Sequence, residues 1–264
     1  MPILSYAAIH GNRQSCTAIA VAVAALTCIS GCNRESGGAS ATTDTTTIKP
    51  APSTALTDTS MTGATASVGG AASTGAMPPA LDAVGTHGED LYDAVKAKNW
   101  TKSATITDSL DASVRALASS GQNAGADQTL LTAELDTLHR TVPAHQGDAA
   151  IKAANRVTYL AARMSAQYHP TIPAEVAMLD FYGRELEIWS ADNNSTKLSQ
   201  TAADIKQTWN TLRPAVEAHG GATAAKRTDD LIAQVVAAKS TADYKRVATP
   251  ILDEVDLLEK VFSK

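Results

Sequence analysis

The chain has 264 residues, three cysteines and a formal net charge of −5 at neutral pH. This acidic balance argues against nucleic acid as a partner, because nucleic-acid binding requires a concentrated basic face. All three cysteines precede residue 33, so the rest of the chain has no disulfide framework, zinc–thiolate site or cysteine nucleophile.

Residues 1–31 are predicted to form a signal peptide. Arg13 supplies a positive charge, and the apolar run Thr17–Leu26 that follows it is too short to span a membrane comfortably. The run leads into Ile29-Ser30-Gly31-Cys32, which resembles the lipobox of bacterial lipoproteins. The resemblance implies that Cys32 is acylated and becomes the first residue of the mature protein.

The same resemblance implies a cell-envelope protein that faces the periplasm and is held to the membrane by the lipid on Cys32. Asn33 stands where related enterobacterial lipoproteins carry an aspartate that retains them in the inner membrane. We therefore expect the outer membrane and not the inner one.

Residues 32–80 are predicted to be a disordered linker that begins at the lipidated cysteine. Threonine, serine, alanine, glycine and proline dominate this tract, and it has few large apolar side chains to offset the entropy of ordering. A flexible chain of this length typically reaches about 35–40 Å from the bilayer.

Residues 81–264 are predicted to form the folded domain. Apolar residues recur there every three or four positions, which is the period of an α-helix. The clearest stripe runs along one face of a helix that ends near Gly220 and places Trp209 in the core: Leu198, Ala202, Ile205, Trp209, Leu212, Val216. Further runs of this kind predict an all-α fold, an antiparallel bundle of about six to eight helices behind the disordered linker.

Two long segments are predicted to break in the middle, near Asn99 and near Ser240-Thr241. An aromatic residue follows each break, with an alanine four residues later: Trp100 with Ala104, and Tyr244 with Ala248. These shared landmarks suggest an internal repeat that pairs the two segments.

The predicted helix over residues 173–191 is apolar on two sides. Phe181 and Ile188 lie nearly opposite the main stripe, and Gly183 suggests a close helix crossing. One interpretation is a central helix buried on both sides. The other is a partner-binding stripe formed by Phe181 and Ile188 with Arg184, which we expect to form a surface ion pair with Asp180.

The segment Gly85-Thr86-His87-Gly88-Glu89-Asp90 resembles the Gly-x-His-x-x-Glu motif of imelysin-type helical lipoproteins, with Asp90 at the glutamate position. The resemblance implies a metal site at His87 and Asp90. If successive helices alternate in direction, His139 and His145 come to the same end of the bundle as His87 and complete a candidate ligand set. The alternative is that these histidines hydrogen-bond free carbonyl groups at helix ends, with no metal or other cofactor.

Three functions remain open at this point. The first is a lipid-anchored binding or scaffolding module whose partner is an envelope protein or a small ligand. The second is a metal- or iron-handling lipoprotein of the imelysin kind. The third is an envelope hydrolase, but the sequence has no Gly-x-Ser-x-Gly elbow and no phosphate-binding glycine loop, so we expect that the protein is not an enzyme.

Overall fold

The computed structural model describes residues 76–121 and 125–263. Within these ranges every long element is an α-helix, which confirms the all-α prediction: α1 Pro79–Lys96, α2 Trp100–Ser119, α3 Ala126–Thr141, α4 Gly147–Ser165, α5 Ala174–Ala191, α6 Ser195–Ala218, α7 Ala222–Ala237, α8 Thr241–Phe262. A 3₁₀ turn, Ala166–Tyr168, extends α4. The predicted signal peptide and nearly all of the predicted linker lie outside the described residues.

The eight helices of the described ranges form two four-helix bundles. In the first bundle, α1 to α4 pack in sequence and α4 closes the ring against α1. In the second bundle, α5 to α8 do the same and α8 closes against α5. Each bundle has its own apolar core, and α4 packs against α5 where the two bundles meet.

The two bundles repeat the same plan. Asn99 caps α2 by accepting a hydrogen bond from the backbone N–H of Lys102 at 3.1 Å, and Asn194 caps α6 in the same way from Lys197 at 3.1 Å. One interval of 95 residues separates these equivalent positions and relates two further pairs: Pro78 with Pro173, and Gly88 with Gly183. The repeat therefore pairs α1–α2 with α5–α6.

This pairing corrects the predicted internal repeat. Both predicted breaks exist, since α1 ends before Asn99 and α8 begins after Ser240. However, Trp100 begins the second helix of its bundle, whereas Tyr244 belongs to the fourth helix of the other bundle. An aromatic residue after a break is a local feature, and it does not report which helices occupy equivalent places in the fold.

Helix α5 is buried on both sides because it faces both cores. Ile188 belongs to the core of the first bundle, whereas Val176, Leu179 and Leu186 belong to the core of the second. Trp189 packs against both cores. The doubly buried central helix is therefore the correct interpretation of this segment.

Gly88 and Gly183 mark close helix crossings. A Cβ atom on Gly183 would lie 2.7 Å from Cδ2 of Leu252 on α8, and one on Gly88 would lie 2.7 Å from Oγ1 of Thr158 on α4. In each bundle a glycine of the first helix thus lets the fourth helix approach. The close crossing predicted from Gly183 is confirmed.

We expect Gly88→Ala to lower the free energy of unfolding by about 1–3 kcal/mol, because overpacking forces α4 to move. The backbone nitrogen of Thr158 would lie 3.0 Å from the new methyl group, so a side-chain rotation cannot relieve the clash. This cost exceeds the advantage of about 1 kcal/mol that alanine has over glycine inside a helix.

Gly85→Ala, on the same helix, is the matched control. Its added methyl group meets Cβ of Ala161 at 3.6 Å, an ordinary contact, so this variant should gain up to about 1 kcal/mol. Urea denaturation followed by circular dichroism measures both changes. Equal shifts of the two unfolding midpoints would contradict the close crossing at Gly88.

None of the described helices combines the length and the apolar character that crossing a membrane requires.

Candidate functional site

The predicted partner-binding residues of α5 are not on the surface. Phe181, Ile188 and Arg184 are only 7%, 6% and 5% exposed. The ring of Phe181 packs against Tyr159 of α4, with the ring centroids 4.6 Å apart. Because α4 covers this side of α5, the expectation of an exposed stripe is overturned.

Arg184 instead forms the centre of a buried polar cluster between α1 and α5. Its Nη2 atom lies 2.9 Å from Oδ2 of Asp180, and its guanidinium carbon lies 4.9 Å from the ring centroid of Tyr92. The predicted Asp180–Arg184 pair therefore forms, but it is not a surface pair. Burial by itself lowers the pKa of Arg184, and the neighbouring acidic side chains, with Asp180 first among them, outweigh that effect, so the pKa is raised.

Glu89 of α1 is the most perturbed acid of this cluster. Burial is the main cause that raises its pKa from 4.5 to about 8. The neighbouring carboxylates of Asp180, Glu259 and Asp93 raise the pKa further, and Arg184 partly opposes them. Glu89 therefore retains its proton at neutral pH, because a second negative charge beside Asp180 would be poorly solvated there.

A second group of contacts ties α1 to α5 at the edge of this cluster. The hydroxyl of Tyr92 donates a hydrogen bond to Oε2 of Glu187 at 2.8 Å, and the ammonium group of Lys96 pairs with the same carboxylate. Burial and the Glu187 carboxylate both raise the pKa of Tyr92, which stays protonated as a donor. Tyr92 and Glu187 are 95 residues apart and so occupy equivalent positions of the two bundles. This hydrogen bond therefore joins the two bundles at equivalent positions of the repeat.

The proposed metal ligands do not come together. His87 and Asp90 lie in the middle of α1, whereas His139 lies in the last turn of α3 and His145 in the connection to α4. The ring of His145 stacks on Trp100 at a centroid distance of 4.7 Å. No group of three or more histidine, aspartate, glutamate or cysteine side chains in the described ranges is arranged to hold a metal ion.

The alternation of helix directions was therefore not enough to place the four candidates in one site. His87 is nine residues along a helix of 18 residues, so it lies far from either end of α1. A rise of about 1.5 Å per residue places it roughly 13 Å from the end that carries His145. The predicted set His87, Asp90, His139 and His145 is not a metal centre in this structure.

Sequence reasoning missed Glu89, Tyr92 and Glu187 as members of the buried cluster. Asp180, Arg184 and Glu187 are spaced four and three residues apart, so they share one face of α5, which is a signal that was available. The partner face on α1 was not evident, because equivalent places in a repeat do not indicate that α1 and α5 are in contact. The cluster can hold a proton on Glu89 and link the two bundles.

Comparison of the chain with protein-family profiles, with curated proteins and with solved structures found no match.

Proposed function

We propose that this chain is a lipid-anchored protein of the bacterial cell envelope that acts by binding and not by catalysis. The observation that carries the proposal is the tetrapeptide Ile29-Ser30-Gly31-Cys32, which follows Arg13 and the apolar run Thr17–Leu26. A diacylglycerol group on the Cys32 thiol would hold the protein to the membrane, and residues 33–78 would connect this anchor to α1.

The architecture supports the binding role. The two four-helix bundles pack against each other through α4 and α5 and together present several helical faces to a partner. Helical faces of this kind commonly receive a peptide helix or a small ligand. The partner we propose is an envelope protein or a small ligand, and the protein would face the periplasm from the outer membrane.

Replacing Cys32 by serine tests the anchor. We expect the native protein to sediment with the membrane fraction and its intact mass to show a diacylglycerol-modified chain that begins at Cys32. The Cys32→Ser protein should lose this added mass and leave the membrane fraction, because a serine hydroxyl cannot form the thioether. Density separation of the two membranes should place the native protein with the outer membrane.

Cys28→Ser is the matched control, because this cysteine lies four residues upstream in the segment that cleavage removes. It should leave the mass of the mature protein unchanged. A Cys32→Ser protein that keeps its lipid mass would refute the anchor.

A further inference from the structure

A groove opens at one end of the second bundle, where α6 faces the connection between α7 and α8. Its volume is about 400 Å³, which lies within the range of small-molecule sites. One wall is a face of α6, from Ser195 to Lys206, which is about 16 Å long at 1.5 Å per residue. The opposite wall is the end of α7 and the start of α8.

The floor of the groove is apolar, and an apolar side chain also stands at its rim. Leu198 and Ala202 of α6, with Ala238 and Tyr244 opposite, form a buried floor. Val236 stands at the rim and is 45% exposed, which makes it one of two large apolar side chains exposed in the described ranges. An exposed valine beside an apolar floor favours a ligand with an apolar body.

The charge of the groove is opposite to the charge of the chain. Two lysines, Lys206 and Lys239, line the groove together with serine and threonine hydroxyl groups, and no aspartate or glutamate lines it. Neither lysine ammonium group forms an ion pair with the described residues. The protein as a whole carries 27 acidic and 22 basic residues, so a lining whose charged residues are both basic differs from the average composition of the chain.

The two nearest acidic residues in the sequence are held by other groups. The carboxylate of Asp243 accepts hydrogen bonds from the backbone N–H and the hydroxyl of Ser240, which forms the capping box of α8. The carboxylate of Asp204 accepts a hydrogen bond from Gln200 at 3.1 Å. Asp243 also accepts a hydrogen bond from the backbone N–H of Lys239 and pairs with Arg246. Neither carboxylate forms an ion pair with the ammonium group of Lys206 or Lys239, so both ammonium groups are available to a ligand in the groove.

We propose that this groove binds a monocarboxylate with an apolar chain, with the carboxylate at Lys206 and Lys239 and the chain along the floor between α6 and α8. The proposal deepens the binding role given above by naming a ligand class. It rests on that role but not on the lipid anchor. The apolar floor supplies affinity through burial, and the lysines select the anion over an uncharged analogue of the same length.

Titration of the full-length Cys32→Ser protein with decanoate tests the proposal, since this protein needs no detergent that would compete for the groove. Decanol is the uncharged probe of the same chain length. We expect saturable decanoate binding that shifts the methyl signals of Ala202 and Val236 in NMR spectra, and weaker decanol binding at the same place.

The double variant Lys206→Gln/Lys239→Gln should weaken decanoate binding by about three- to tenfold, as expected for two exposed ion pairs, and should leave decanol binding unchanged. Lys245→Gln/Lys260→Gln removes the same charge elsewhere on α8 and should leave both affinities unchanged. Ala203→Trp should block the groove, whereas Ala133→Trp, on the exposed side of α3, should not.

Several results would overturn the carboxylate site. They are equal affinities for decanoate and decanol, an equal loss in both lysine double variants, methyl shifts outside the groove, or no binding at millimolar decanoate. None of these results bears on the anchor, which the mass of the native protein tests separately. Unchanged circular-dichroism spectra of the exposed-site variants would show that any loss is not unfolding.

Discussion

Trp209→Ala is expected to lower the free energy of unfolding by about 3–5 kcal/mol, the usual cost of removing a large aromatic side chain from a packed core. Trp209 is 2% exposed and lies in the stripe of α6 that faces the core of the second bundle. Its indole Nε1 donates a hydrogen bond to Oδ1 of Asp229 on α7 at 2.8 Å. The substitution removes core volume and this link between α6 and α7 together.

Two further substitutions separate these contributions. Trp209→Phe keeps most of the apolar volume and leaves Asp229 with its hydrogen bonds from Nε and Nη2 of Arg213, so the loss should be smaller. Trp100→Ala removes the same side chain where it is only partly buried, and should also cost less. Guanidinium denaturation measures all three variants, and an unchanged midpoint for Trp209→Ala would mean that α6 is rotated.

Raising the pH from about 4.5 to about 8 is expected to destabilise the protein through Glu89. The folded state retains the Glu89 proton up to about pH 8, whereas the unfolded chain releases it near the ordinary value of 4.5. Because the folded state binds more protons in this window, the free energy of unfolding falls as the pH rises. The stability that comes from the Glu89 proton is fully present below pH 4.5, the pKa in the unfolded chain, and is lost once the pH passes about 8, the pKa in the folded state.

Glu89→Gln should remove this dependence. One bound proton corresponds to a slope of about 1.4 kcal/mol per pH unit, so the variant should be more stable than the native protein by several kcal/mol at pH 8–9. The amide keeps the shape of the side chain but places no charge beside Asp180 and Glu259.

Asp90→Asn is the matched control, since Asp90 is the next residue on α1 and is exposed. Its pH profile should follow that of the native protein. Urea denaturation across the pH range compares the variants, and the difference between profiles isolates Glu89 from other titrating groups. If Glu89→Gln kept the full dependence of the free energy of unfolding on pH, the buried cluster would not be the cause of that dependence.

The candidate site was only partly predictable from the sequence. The Asp180–Arg184 pair was found, because residues four apart lie on one side of a helix whatever surrounds it. Its burial was not found, because the residues that cover it belong to α1, about one bundle away in the sequence. The metal set at His87 and His145 failed for a related reason, since knowing the direction of each helix does not give the height of each residue along it.

The helices and their buried faces follow from local features of the sequence. Apolar spacing set the faces, so the core position of Trp209 followed from α6 alone, and Asn99 and Ser240 mark helix starts through their own side-chain hydrogen bonds. These features depend on contacts within about four residues along the chain.

The grouping of the helices, in contrast, depends on contacts between distant parts of the chain. The division into two bundles depends on which apolar face meets which, and most of the helices present an apolar face of similar character. Gly88 and Gly183 let the first and fourth helices of each bundle approach closely. Packing of α4 against α5 buries Phe181, whereas side chains of α1 cover Arg184. A helical pattern indicates that one face of a helix is buried. Because the hydrophobic effect is not directional, the pattern does not indicate which other helix covers that face.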